Sequence, residues 1–131
     1  MSRRTNYYLD GYAHQNPVPV ASRIGAHLYS GVITGRDPHT KEMPESMAAQ
    51  CANLFGHVRE LMRITGATTD DIVKMTFYLR HYRDREALNA EWVAMFPDSA
   101  NRPARQVMSA ELDGLTLLQA DLVAILGESG A

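Results

Sequence analysis

The clearest pattern in the chain lies between Pro44 and Thr65. Met47, Cys51, Leu54, Phe55, Val58, Leu61 and Met62 recur at spacings of three and four, which lays one apolar stripe along a helix. Gly66 is its natural stop. From Ile72 to Leu79 the period changes to two: IVKMTFYL predicts a strand with Val73, Met75, Phe77 and Leu79 on one side. Asp84 is placed to cap a second helix, whose stripe is Leu88, Trp92, Met95 and Phe96 and which Pro97 ends. Upstream, SRIGAHLYSGVIT (Ser22 to about Thr34) is β-like, with Gly25 and Gly31 as bend or bulge positions. GRDPHTKEMPE then supplies turn residues before the first helix. Beyond the NRPAR loop, short strands are expected at about Arg105–Ser109 and Thr116–Leu126. The polar first part ends in Asn16-Pro17-Val18-Pro19, where two prolines prevent a helix and favour an extended path. The order β, α, β, α, β, β predicts an α+β domain with two helices on one face of a mixed sheet.

The last strand says more. Leu118, Ala120, Leu122, Ala124 and Leu126 share the face expected under the helices. The opposite face carries Leu117, Gln119, Asp121, Val123 and Ile125. A solvent-facing side would be more polar, and a closed core would avoid Asp. A subunit interface with a small polar pocket fits both.

Composition narrows the classes. A chain of 131 residues holds one domain, taken as 1–131 with 1–17 an extended N-terminal segment, and 45% hydrophobic with 21% charged residues is ordinary for a globular fold. Thirteen Lys and Arg against fifteen Asp and Glu leave a formal charge of −2, which argues against a general nucleic-acid binder. One cysteine allows no intramolecular disulfide and suits a reducing compartment. No apolar run approaches the roughly 20 residues of a membrane span. The expectation is a soluble cytoplasmic protein with neither nucleic acid nor membrane as partner.

The usual catalytic signatures are missing. His14, His27, His39, His57 and His81 show no metal-ligand spacing, and Cys51 sits on the core stripe, so neither a metal site nor a cysteine nucleophile is expected. There is no phosphate-cradling glycine motif and no G-x-S-x-G elbow. The basic run Arg80-His81-Tyr82-Arg83-Asp84-Arg85 reads as a solvated turn. Arg105 differs, because Arg102-Pro103-Ala104 would stiffen its approach to a strand. A fixed guanidinium suits bidentate capture of a carboxylate, although a structural ion pair would use the same features.

Taken together, ASRIG-x-x-LYSG, GRDP, the AQC helix, TTDDIVKMT, LNAEWVAMFPD and NRPARQ resemble the Rid family (RidA/YjgF-like enamine/imine deaminases) from about Asn16 to Leu126. The NPVP and MFPD-x-x-x-RPAR details are similar to the branch containing 2-aminomuconate deaminase. The resemblance implies a chorismate-mutase-like protomer, a homotrimer with pockets between subunits, and no metal or organic cofactor. By the RPAR match the family's carboxylate-binding arginine falls on Arg105, and its helix asparagine on Asn89. Its pocket loop falls on Ser30, Gly31, Val32 and Ile33, whose backbone groups would contact substrate.

Two positions depart from the family. Its N-terminal tyrosine is replaced by Val18, and its water-positioning glutamate by Gln119. Gln orients water but cannot accept a proton, so Asp121, two residues on and on the same face, is the nearest substitute base. The expected activity is hydrolytic deamination of a small enamine or imine acid, with 2-aminomuconate or a related ring-cleavage product as the first substrate considered. A RidA-type 2-iminoacid (2-aminoacrylate) deaminase and a non-catalytic carboxylate-binding protein are the alternatives. A dicarboxylate would need a second cation, for which Arg23, Arg36, Arg102 and His14 are the candidates.

Overall fold

The computed structural model describes residues 2–9 and 17–127. Helix α1 (Met47–Thr65) follows the predicted stripe. It starts three residues after Pro44 because Ser46 caps it, accepting the Ala49 N–H at 3.1 Å. Gly66 ends it at φ 76°, and the Ala67 N–H returns to the Met62 carbonyl at 2.9 Å. Cys51, Leu54, Phe55, Val58 and Leu61 are completely buried, and burial pushes the Cys51 thiol up to about 12. That thiol belongs to the core.

Among the described residues seven strands form one sheet: β1 (Arg4–Tyr7), β2 (Ala21–Ile24), β3 (His27–Ser30), β4 (Ile33–Thr34), β5 (Ile72–Leu79), β6 (Ala104–Ser109) and β7 (Leu118–Ile125). Their order is β1-β2-β3-β7-β5-β6, with β4 also on β7. Among the described residues only β5 and β6 pair in parallel, joined by helix α2 (Glu86–Met95) as a crossover. The β-like run from Ser22 becomes three short strands. Gly25, at φ 60°, turns β2 into β3. At Ser30 a side chain takes over the ladder, its hydroxyl accepting the Leu122 N–H at 2.8 Å and donating to the Gly31 carbonyl at 2.9 Å.

Both helices cover one face of this mixed sheet, as the pattern predicts. Phe55 of α1 stacks on Phe77 of β5 at 5.9 Å, and Trp92 of α2 meets Phe77 edge-on at 6.1 Å. Beneath them lie Leu118, Ala120, Leu122 and Ala124 of β7, all buried. Gln50, also fully buried, ties α1 to the chain before β7. It donates to the Pro44 and Leu115 carbonyls at 2.7 and 2.8 Å and accepts the Leu117 N–H at 2.8 Å.

Three expectations need correction. Val73 is 48% exposed, because a bulge between Ile72 and Lys74 shifts the register and gives the core position to Ile72. Asp84 does not cap α2: its N–H closes a turn onto His81, and Arg85 holds the cap position with no side-chain cap bond. Residues 4–7 form a true strand antiparallel to β2 where only an extended segment is predicted.

Candidate functional site

The NRPAR loop is fixed from within. Arg102 Nε donates to the Phe96 carbonyl at 2.8 Å, and Asn101 Nδ2 to Asp70 Oδ1 at 3.2 Å. Pro103 then leads into edge strand β6, where Arg105 stands opposite Met75 of β5. Directly paired residues share a face, so Arg105 rises on the helix side of the sheet. Its guanidinium lies 5.1 Å from the Trp92 ring centre, and Nη1 donates to Asn89 Oδ1 at 2.8 Å. Among the described residues no carboxylate comes within ion-pair distance of it. The structural ion pair is therefore not formed among the described residues. Burial first, and the Arg85 charge second, hold the Arg105 pKa below its ordinary value.

Gln119 and Asp121 occupy the other face. Gln119 lies across from Thr34 of β4 and Tyr78 of β5, and Asp121 across from Thr76. The neighbouring Tyr78 hydroxyl and the Lys74 positive charge both favour the ionised Asp121 carboxylate. Burial nevertheless outweighs both and raises the Asp121 pKa. The Asp121 charge in turn raises the Tyr78 pKa. Tyr78 is a candidate for the site that the sequence does not single out, although the alternation of β5 already places it opposite the core. Around this polar row, Tyr29, Met108 and Ile125 leave apolar surface exposed.

The chain brings Arg105 and Asn89 together, and separately Gln119, Asp121 and Tyr78. It does not bring the two groups together: β5 separates β6 from β7, and the groups point to opposite sides of the sheet. The expected substrate loop is also more committed than the resemblance implies. The Gly31 N–H donates to the Val20 carbonyl at 2.8 Å, so it does not offer itself to a ligand. The Ser30 hydroxyl is engaged with Leu122 and Gly31, and Ile33 buries its side chain in the core. Val32 and Val18 present exposed side chains.

The second-cation candidates serve the backbone. Arg23 Nε donates to the Gly25 carbonyl at 2.6 Å, Arg36 Nη1 to Lys41 at 2.8 Å, and Arg102 to Phe96. His14 lies outside the described residues. A cleft of about 550 Å³ opens beside α1, bordered by Tyr8, His39, Asn53, His57 and Glu60, and contains none of the expected site residues. Among the described residues, no three of His, Cys, Asp and Glu gather as a metal site requires, and no helix is long and apolar enough to cross a membrane.

Residues 11–118 match the model of the family described as Endoribonuclease L-PSP. A protein of Escherichia coli K12 named 2-iminobutanoate/2-iminopropanoate deaminase is 31% identical over 86 residues, 62% of this chain and 67% of that one. A RutC family protein of Haemophilus influenzae is 34% identical over 71 residues, 53% of this chain; the chain spans about half the length of that relative, 55%. Among solved structures, RidA of the Antarctic bacterium Psychrobacter sp. PAMC 21119 superposes with a TM-score of 0.85 at 22% identity, covering 93% of this chain and 99% of its own. The E. coli YjgF product gives a TM-score of 0.82 at 22% identity, over 92% and 98%. With the family match spanning most of the sequence and the fold shared nearly end to end, the chain belongs to the Rid family.

Proposed function

We propose that the protein is a 2-imino acid deaminase whose site is completed where two copies of the chain meet. The observation that carries this reading is Arg105. Its guanidinium is held by Asn89 over Trp92, half-buried and without a carboxylate partner among the described residues. Such a group is positioned to hold a substrate carboxylate. The E. coli relative is named for two short 2-imino acids, which supports those substrates over 2-aminomuconate as the first to test.

In this reading a second copy, in a homotrimer, presents its Gln119, Asp121 and Tyr78 face to the Arg105 edge. The exposed Tyr29, Met108 and Ile125 around that face favour such a contact. Arg105 holds the carboxylate beside the C=N carbon. Gln119 orients a water, and Asp121, its pKa raised by burial, takes the proton as water adds to that carbon. The proton passes to nitrogen, the C–N bond breaks as the carbonyl forms, and a 2-keto acid and ammonia leave. An enamine substrate first takes a proton at carbon to become the imine.

A second reading has its own observation. Gln119 stands where the family resemblance expects a glutamate, so the same cleft in a non-catalytic protein would bind a small carboxylate without turnover. An RNA substrate would call for a basic track, and the charge of −2 and the use of Arg80 and Arg102 as backbone clamps argue against one. Ammonia release from enzymatically generated 2-iminopropanoate, 2-iminobutanoate and 2-aminomuconate in parallel separates the readings. Release from the short imines supports deamination, and binding of 2-keto acids without release supports the second reading.

A further inference from the structure

We propose that Arg85 is a second cation of the substrate site and selects 2-imino acids whose side chain ends in another carboxylate. The inference rests on the deaminase reading for what the site is, and on geometry for what Arg85 does there. The basic run that reads as a solvated turn divides in the structure. Arg80 clamps the loop before β7, donating from Nε to the Thr116 carbonyl at 3.0 Å and from Nη2 to Leu112 and Gly114 at 2.6 and 2.7 Å. Arg83 is exposed. Arg85 instead is half-buried at the start of α2.

Positions 85, 89 and 92 share one side of that helix by their spacing of four and three. The Asn89 N–H donates to the Arg85 carbonyl at 2.8 Å, which joins the two in one helical turn. Asn89 and Trp92 are the residues that hold the Arg105 guanidinium. Arg85 is held too: its guanidinium lies 4.4 Å from the Tyr82 ring centre, and Nε donates to the Tyr82 carbonyl at 3.1 Å. Neither arginine has a carboxylate partner among the described residues, although Asp84 and Glu86 flank Arg85 in sequence.

Two fixed guanidinium groups along one helix face repel each other unless an anion lies near both. The helical rise puts Arg85 about 6 Å from Asn89 along the axis. A short molecule with two anionic groups would meet one guanidinium with each. Arg23, Arg36, Arg102 and Arg85 each grip a backbone carbonyl, but of these four Arg85 lies on the helix turn that carries Asn89, and its charge acts on Arg105.

Calorimetric titration of the unmodified protein with glutarate and with butanoate tests this, since neither probe can react. Glutarate should bind at least about tenfold more tightly, the effect of one charge-assisted contact. Arg85→Gln should bring the two within about twofold, and Arg85→Lys should keep part of the preference. Absence of a glutarate preference in the wild-type protein, or a preference that survives Arg85→Gln, overturns the proposal. Failure of the deaminase reading has a different signature: no ammonia from any imine while the glutarate preference and its dependence on Arg85 stand.

Discussion

Arg105 donates from Nη1 to Asn89 Oδ1 at 2.8 Å, a bond between an edge strand and a helix. It uses one of five guanidinium donors and fixes the plane of the group against the Trp92 ring. A side chain with this much rotamer freedom would otherwise lose entropy when it captured a ligand. Here the surrounding contacts order it beforehand.

Arg105→Ala should abolish turnover with the fold intact, because β6 is an edge strand and the residue is only half-buried. The lost contact is worth on the order of 2–4 kcal/mol. Asn89→Ala should be milder, about tenfold in kcat/KM, since the guanidinium stays but loses its hold. Near-wild-type kinetics in Arg105→Ala, with an unchanged circular-dichroism spectrum, would make Arg105 a surface cation and nothing more.

Asp121→Asn should slow turnover by about 100-fold or more, the usual worth of a general base. Gln119→Glu should be tolerated. The wild-type rate should fall with acid through a pKa above the ordinary carboxylate value, as burial raises the Asp121 pKa. Stability runs the other way. Between the unfolded and the raised native pKa the native state holds more protons, so this group's contribution declines as pH rises across that window. Asp121→Asn should therefore melt at or above the wild-type temperature at neutral pH, and the difference should vanish below the unfolded carboxylate pKa. Melting curves at both pH values, beside initial rates of ammonia release, check the two signs together.

Gln50→Leu should be among the most destabilising single changes outside the aromatic core. It leaves the Pro44 and Leu115 carbonyls and the Leu117 N–H without the amide that pairs them. Unpaired buried polar groups cost about 1–3 kcal/mol each, so a loss of about 2–4 kcal/mol in urea unfolding is expected. Gly35 presses its backbone against Gln50, and an added Cβ would run into it. Gly35→Ala should consequently destabilise the same corner.

Much of the fold was legible where one physical rule acts alone. The α1 stripe, the Gly66 stop and the alternation of β7 depend on local period and burial. The failures lie where distant residues decide. Val73 obeys the alternation until a bulge against β7 removes it, and Asp84 has the chemistry of a cap but lies in a turn closed by its own N–H. Residues 4–7 have no alternation to mark them, and pairing with β2 alone makes them a strand. For the site, Arg105 and Asn89 follow from the family resemblance, and Asp121 from strand alternation. The sequence does not reveal that Arg105 and Asp121 point to opposite sides of the sheet, because facing depends on which residue of β5 each one pairs beside. Arg80 and Arg85 look alike in sequence and part ways only because the loop before β7 reaches one and helix α2 begins at the other.

The claim that two copies build one site is tested most directly by complementation. Arg105→Ala and Asp121→Asn chains, each inactive alone, are co-expressed with different affinity tags, and the mixed assemblies carrying both tags are isolated. A site formed between copies is intact wherever an Asp121→Asn chain supplies Arg105 and an Arg105→Ala chain supplies Asp121. Random association around a ring makes this about one site in four, so ammonia release should return to roughly a quarter of the wild-type rate per site, and somewhat more in the selected mixed assemblies. Mixed assemblies as inactive as the two parent variants would contradict the account.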